Sequence, residues 1–165
     1  MVFVDTSAWF ASVVPLDPDH LEATRWLARN HEPLLTTDYV IDETLTLLRA
    51  RGERRRAIAL GEGFFQSAIA EIHFLTEDDI RRAWNVFQQY DDKRWSFTDC
   101  ASKVIVEQMK IPRAFAFDQH FANSPQSKSF PDINRPRYRR LTKCQSPDKL
   151  SGRLSPFVVY SSSSQ

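Results

Sequence analysis

Cysteine is scarce. The 165 residues contain two, Cys100 and Cys144, too few for a disulfide scaffold or a cysteine-based zinc site. No run of 18 apolar residues occurs, so no helix of the membrane-spanning kind is expected. Charge of one sign is not in excess either: the net charge is +1, which alone says nothing about nucleic acid. What is present is the composition of a folded domain, with 42% hydrophobic, 26% charged and 12% aromatic residues, twelve of them Phe. That excludes disorder for most of the chain and makes one domain with an aromatic-rich core the default. The first residues are apolar, but no basic flank precedes Val2-Phe3-Val4 and Asp5 follows at once. This reads as a strand ending in a carboxylate rather than a signal peptide. A soluble protein of the reducing cytoplasm is the expectation.

The small net charge hides an asymmetry. Residues 1–134 hold 15 basic and 20 acidic side chains, net −5, whereas residues 135–165 hold 7 basic and 1 acidic, net +6. An acidic body with a basic tail follows.

Hydrophobic periodicity divides the body into short apolar strands and helices. Val2–Val4 is a buried strand, and a helix beginning near Ala8 is stopped by Pro15. Asp17-Pro18-Asp19 starts a helix with Leu21, Trp26 and Leu27 on one face. Pro33–Thr36 is a second strand. Thr37-Asp38 opens a helix ended by Gly52, and Glu53–Ile69 forms another, weakened by Gly61 and Gly63. Glu71–Leu75 alternates as a strand. Thr76-Glu77-Asp78-Asp79 has the character of an N-cap followed by acids. Behind it Ile80, Ala83, Trp84 and Phe87 keep helical spacing. Phe97–Met109 is a helix, Pro112 breaks it, and Ala114–Phe117 is a strand that ends at Asp118. Alternating strands and helices predict an α/β fold with a parallel sheet. Arg137–Leu141 is a candidate edge strand, so the domain is placed at residues 1–141. The Pro-, Gly- and Ser-containing residues 142–165 are read as a tail.

Ligands in such sheets bind beyond the carboxyl ends of the strands. Two strands finish at acids, Asp5 and Asp118. Asp99 sits in the first turn of a helix, and Glu43 lies in the stretch Asp38–Glu43. An isolated Asp is usually a cap or a solvated charge, and Asp99 and Glu43 each fit that reading singly. Gathered above one sheet, the four would repel unless a cation lay among them. Oxygen ligands without His or Cys select Mg²⁺ or Mn²⁺, and such an ion suits phosphodiester hydrolysis.

The combination is recognisable. Val2-Phe3-Val4-Asp5-Thr6-Ser7-Ala8-Trp9 resembles the opening of PIN-domain proteins. The stretch from Asp38 to Leu48, with Glu43 at the acidic position, resembles their second motif. Ser96-Phe97-Thr98-Asp99-Cys100-Ala101 resembles the third and Ala116-Phe117-Asp118-Gln119-His120-Phe121 the fourth. The resemblance covers about residues 1–123, and the motif wording is most similar to the VapC toxins of bacterial toxin–antitoxin pairs. It implies a three-layer α/β/α fold around a mainly parallel sheet of about five strands. It implies a Mg²⁺- or Mn²⁺-dependent endoribonuclease that leaves a 5′-phosphate and a 3′-hydroxyl. In it Asp5 and Asp99 bind the metal most directly and Glu43 and Asp118 complete the pocket. Thr6 and Ser7 orient Asp5 by hydrogen bonding, and Thr98 is the hydroxyl residue before the third acid. RNA, a small antitoxin protein and a second copy of the chain are the implied partners. The chain runs some forty residues past the fourth motif, where the family ends sooner.

Other residues have plainer readings. A helix turns about 100° per residue, so Asp42 and Glu43 cannot both face a pocket centre, and Asp42 is read as a solvated acid or one lying behind the pocket residues. His20, His31 and His73 lack metal-ligand spacing, and His120 is a surface side chain. Cys100 has no His partner and reads as a small helix residue. Trp84 is placed in the core and Trp95 on the surface, where it could stack a base. Arg54-Arg55-Arg56 is a solvated face or a phosphate contact. A haloacid-dehalogenase-type phosphatase would need an acid at position 7, which is Ser7. A receiver-type phosphoacceptor would need paired acids after its first strand. The alternative kept open is a non-catalytic PIN-like module that binds RNA or a partner.

Overall fold

The computed structural model describes residues 1–90 and 95–117. Four strands, β1 (Val2–Val4), β2 (Leu34–Thr37), β3 (Glu71–His73) and β4 (Ala114–Phe115), form one sheet in the order β3-β2-β1-β4. Every pairing is parallel, with Phe3 opposite Leu35 on one side and Ala114 on the other. Helices α1 (Thr6–Val13), α2 (His20–Arg29), α3 (Asp38–Ala50), α4 (Arg54–Phe65), α5 (Glu77–Gln89) and α6 (Phe97–Gln108) flank it. The expected strand at Arg137–Leu141 and the division at residue 141 lie outside the described residues, as does the basic tail.

β1 and β2 suit a parallel sheet because they are largely buried and each leads into a helix, whereas β3, at the edge, is only partly buried with Glu71 exposed. Val2, Phe3, Val4 and Leu35 are completely buried, with Phe64, Leu48 and Ile105 packed in the same core. Trp9 meets Phe64 edge to face at 5.0 Å, and Trp26 stacks on Phe115 at 4.0 Å. The Trp9 indole N–H donates to Thr36 Oγ1, whose hydroxyl donates to the Val4 carbonyl. The wide polar end of the tryptophan is thereby satisfied inside the core.

Several elements are shorter than periodicity suggests. The first α2 residue is His20, so Pro18 precedes the helix instead of occupying its first turn. Asp17 Oδ1 there accepts from the Asp19 N–H. Leu21 is exposed and does not share the buried side of Trp26 and Leu27. α4 stops at Phe65, and the chain leaves it through Ser67 at φ 54°. β3 ends at His73 and β4 at Phe115. Gly52, at φ 80°, ends the α3 region in a backbone conformation that suits glycine.

The face of α5 is also rotated from expectation. Trp84 is 50% exposed and Phe87 40% exposed, while Asp79 and Ala83 are buried and Val86 packs inward. Trp84 is therefore not a core residue. Trp95 is half-buried against Tyr90, with ring centroids 5.0 Å apart, rather than standing free on the surface. The rotation follows from the N-terminus of α5. Thr76 caps it, and Asp79 returns to the Thr76 N–H in a reciprocal capping box. Asp79 also accepts from the Thr76 hydroxyl and contacts His73 Nε2 at 3.3 Å. Locked inward by these bonds, it decides which stripe of α5 meets the protein.

Candidate active site

Parallel pairing puts the carboxyl ends of β1, β2 and β4 on one edge of the sheet. α1 leaves β1 through Asp5 alone, and α3 leaves β2 directly. α6 runs back toward β4, so its first turn returns to that same edge. Tyr39 in the first turn of α3 and Phe97 in the first turn of α6 confirm this, with ring centroids 5.8 Å apart. Three helix N-termini, with their partial positive charge, thus converge where the sequence places its acids.

Asp5 is 2% exposed and is the N-cap of α1. Its Oδ2 accepts from the Ser7 backbone N–H at 3.3 Å and from the Ser7 hydroxyl at 3.0 Å. Ser7 Oγ in turn accepts the Phe117 N–H at 2.9 Å. One serine therefore ties the end of β1 to the segment just after β4. Thr6 behaves differently from the expectation that it orients Asp5: its hydroxyl donates to Glu43 Oε2 at 2.7 Å. Consecutive residues Asp5, Thr6 and Ser7 thus link a buried carboxylate to the carboxylate of another helix. Asp42, next to Glu43, is exposed.

Asp99 is half-buried in the first turn of α6. Its Oδ2 accepts the Ser96 N–H at 2.7 Å, and its own N–H donates to Ser96 Oγ at 3.1 Å. This capping box holds the carboxylate at the helix start. Ser96 was not singled out by the motif, although Ser-x-x-Asp before an apolar helix is the sequence signature of that box. Thr98, also half-buried there, makes no side-chain hydrogen bond among the described residues. Cys100 is buried, and burial together with the Asp99 charge pushes its thiol up, against a smaller opposing effect of Lys103. A thiol so held is a poor nucleophile. Asp118 follows Phe117 immediately but lies outside the described residues.

The structure thus joins Asp5 with Glu43 through Thr6 and brings the α6 turn bearing Asp99 to the same edge. Among the described residues, no three His, Cys, Asp or Glu side chains gather into a group that could hold a metal ion. The donors on this edge are carboxylate and hydroxyl oxygens, a chemistry that fits Mg²⁺ or Mn²⁺ and not a soft ion.

The PIN domain family model matches residues 2–125. The 23S rRNA-specific endonuclease VapC20 of Mycobacterium tuberculosis is 33% identical over 122 residues, 74% of this chain and 92% of that protein. A VapC ribonuclease of Archaeoglobus fulgidus is 27% identical over 147 residues, 86% of this chain and 88% of that protein. The crystal structure of M. tuberculosis VapC20, described as a toxin cleaving the sarcin–ricin loop, superposes with a TM-score of 0.70 at 31% identity. The match covers 74% of this chain and 93% of that one.

Proposed function

The chain belongs to the PIN-domain family, and on that footing we propose that it is a metal-dependent endoribonuclease, the toxin of a toxin–antitoxin pair. The observation that carries the reading is the Asp5–Ser7 segment. It buries one carboxylate at the end of the central strand and fixes a second, Glu43, through the neighbouring hydroxyl. Relatives of similar length are a VapC ribonuclease and an rRNA-specific endonuclease, which supports RNA as the substrate.

In this reading Asp5, Asp99, Glu43 and Asp118 hold Mg²⁺ or Mn²⁺, which supplies charge neutralisation at the phosphate and a more acidic water. The chain's own part is positional. Ser7 holds Asp5 in one orientation, Thr6 does the same for Glu43, and Ser96 fixes Asp99. The three helix N-termini lower the repulsion among these acids. The test is cleavage of RNA by the purified chain, with 23S rRNA tried first because the VapC20 relative acts on it. Cleavage is expected with Mg²⁺, lost with EDTA and restored by excess Mg²⁺, giving 5′-phosphate ends. Cleavage that persists in EDTA would remove the metal from the proposal.

The antitoxin and a second copy of the chain complete the proposed partners. Pairing of two copies is supported by the outer face of α5. Trp84 and Phe87 stack there at 5.8 Å, and Phe87 continues to Phe97 at 5.9 Å. Exposed aromatics in contact are the kind of surface that association covers. Replacing Trp84 and Phe87 together by Glu is expected to convert a dimer to a monomer in sedimentation velocity. A wild-type monomer, or a double variant that remains dimeric, removes this face from the assembly. No described helix is long and apolar enough to cross a membrane.

A further inference from the structure

From the end of α3 into the first turn of α4 the chain reads Arg49-Ala50-Arg51-Gly52-Glu53-Arg54-Arg55-Arg56. All five arginines are exposed. Arg56 pairs with Glu53. Among the described residues no ion pair or side-chain hydrogen bond engages Arg49, Arg51, Arg54 or Arg55. Several other cations are matched, Arg81 with Glu77, Arg82 with Asp78, Lys103 with Glu107 and Arg113 with Glu32, while Arg25, Arg29 and Lys110 stand apart from one another in the sequence without an ion pair among the described residues. The turn therefore concentrates positive charge on a body, residues 1–134, that is net −5.

Helix physics accounts for part of this: Arg49 in the last turn of α3 and Arg51 at its C-cap sit at the negative end of a helix, and Glu53 at the N-cap of α4 pairs with Arg56. It does not account for Arg54 and Arg55. α4 begins with three arginines and has no acid in its first turn, although the positive end of a helix favours acids and is destabilised by cations. Like charges packed into one turn repel as well. Arg54 and Arg55 run against that preference with no ion pair or side-chain hydrogen bond among the described residues, which points to an external contact. Guanidinium groups fit phosphate oxygens with two parallel hydrogen bonds. The stretch 49–56 offers no large exposed hydrophobic side chain, so it lacks the anchors on which a bound protein segment relies. A string of phosphates needs none.

Its position relative to the carboxylates is set by α3. Arg49 lies six residues beyond Glu43 on that helix, a rise of roughly 9 Å, toward the end of α3 remote from the acidic edge. Phosphates bound there belong to nucleotides away from the bond being cut. We propose that the Arg49–Arg56 turn is a phosphate-binding surface that holds the RNA backbone at a distance from the carboxylate site, favouring long or folded RNA over short fragments. This rests on the ribonuclease reading for its substrate, but its binding readout is separate.

The test uses the full chain and a fluorescein-labelled synthetic RNA hairpin, titrated over a range of KCl in EDTA so that nothing is cut. Arg54→Gln with Arg55→Gln is expected to flatten the slope of log affinity against log salt by about 1.4 to 1.8, two phosphate contacts' worth. Arg54→Lys with Arg55→Lys should retain most of the slope. With Mg²⁺, the Gln pair should raise KM for the hairpin and leave kcat/KM for a tetranucleotide unchanged. Unaltered affinity and slope in the Gln pair overturns the proposal. So does equal loss in the Lys pair with a lowered Tm, which would mark a structural role. Loss of antitoxin binding with RNA binding intact overturns it in favour of a protein surface. If the wild type binds the hairpin with this salt dependence yet never cuts RNA, the surface stands and the nuclease reading falls.

Discussion

Asp5→Asn is expected to abolish RNA cleavage and leave the fold standing. The two consequences separate because Asp5 has two tasks. As the N-cap of α1 it presents Oδ2 to the Ser7 N–H and hydroxyl, and Asn is as good a cap as Asp. The amide oxygen can keep both bonds. What Asn cannot supply is the negative charge, and a carboxylate is what a hard divalent cation takes from this position. Circular dichroism and thermal melting in EDTA should show a Tm equal to the wild type or higher, since one of several neighbouring acids has lost its charge. Cleavage should fall by at least about a hundredfold, the order seen when a group acting directly on transition-state charge is removed. Asp99→Asn should behave alike, because its capping box with Ser96 also needs only an acceptor oxygen. Full Mg²⁺-dependent cleavage by either variant would remove these acids from the site. Unfolding of both would make them structural caps.

Much of this site is legible in the sequence because it depends on chain neighbours. A strand that ends at Asp5 and turns at once into a helix puts that carboxylate on the sheet edge whatever the rest of the fold does. Asp99, three residues after Ser96, is a local capping pattern too. The partner of the Thr6 hydroxyl is not legible. Glu43 lies 37 residues away, and a threonine beside an aspartate gives no sign that it will bond elsewhere. The bond from the Phe117 N–H to Ser7, across 110 residues, is equally a product of assembly. Both follow once β2 and β4 flank β1 in parallel.

The misreading of α5 has a different origin. Ile80, Ala83, Trp84 and Phe87 make a regular apolar stripe, and periodicity alone takes it for the core side. The stripe counts hydrophobic residues and gives no weight to a buried acid. Asp79 is satisfied by so many local donors that burying it costs less than leaving its partners unpaired, and the helix turns to suit it.

Asp79 leads to the largest expected effect on stability. Its side chain is 2% exposed and joins three elements. Its Oδ2 accepts from the Thr76 N–H and hydroxyl at the start of α5, and His73 at the end of β3 lies 3.3 Å away. Close by, the Leu75 N–H donates to Asp38 Oδ1 at 3.2 Å, holding the same connection to α3. Burial pushes the Asp79 carboxyl up, but the bonds from Thr76, His73 and Gln108 together outweigh it and hold the group below its ordinary value of 3.8. Asp79→Ala removes the acceptor of the capping box and leaves the exposed Thr76 and half-buried His73 to water, at about 1–2 kcal/mol. For a chain of this size that is a fall in Tm of about 2–8 °C. Asp79→Asn retains an acceptor for Thr76 and should lose less. The pH dependence has a definite sign. A carboxyl whose folded value is depressed contributes stability above its unfolded value and loses it as pH falls through the folded one. The gap between wild type and Asp79→Ala should therefore be full at neutral pH and narrow below about pH 4. Urea unfolding at several pH values would measure it. A gap that stays constant into acid would mean that packing, and not the charged acceptor, is what Asp79 provides.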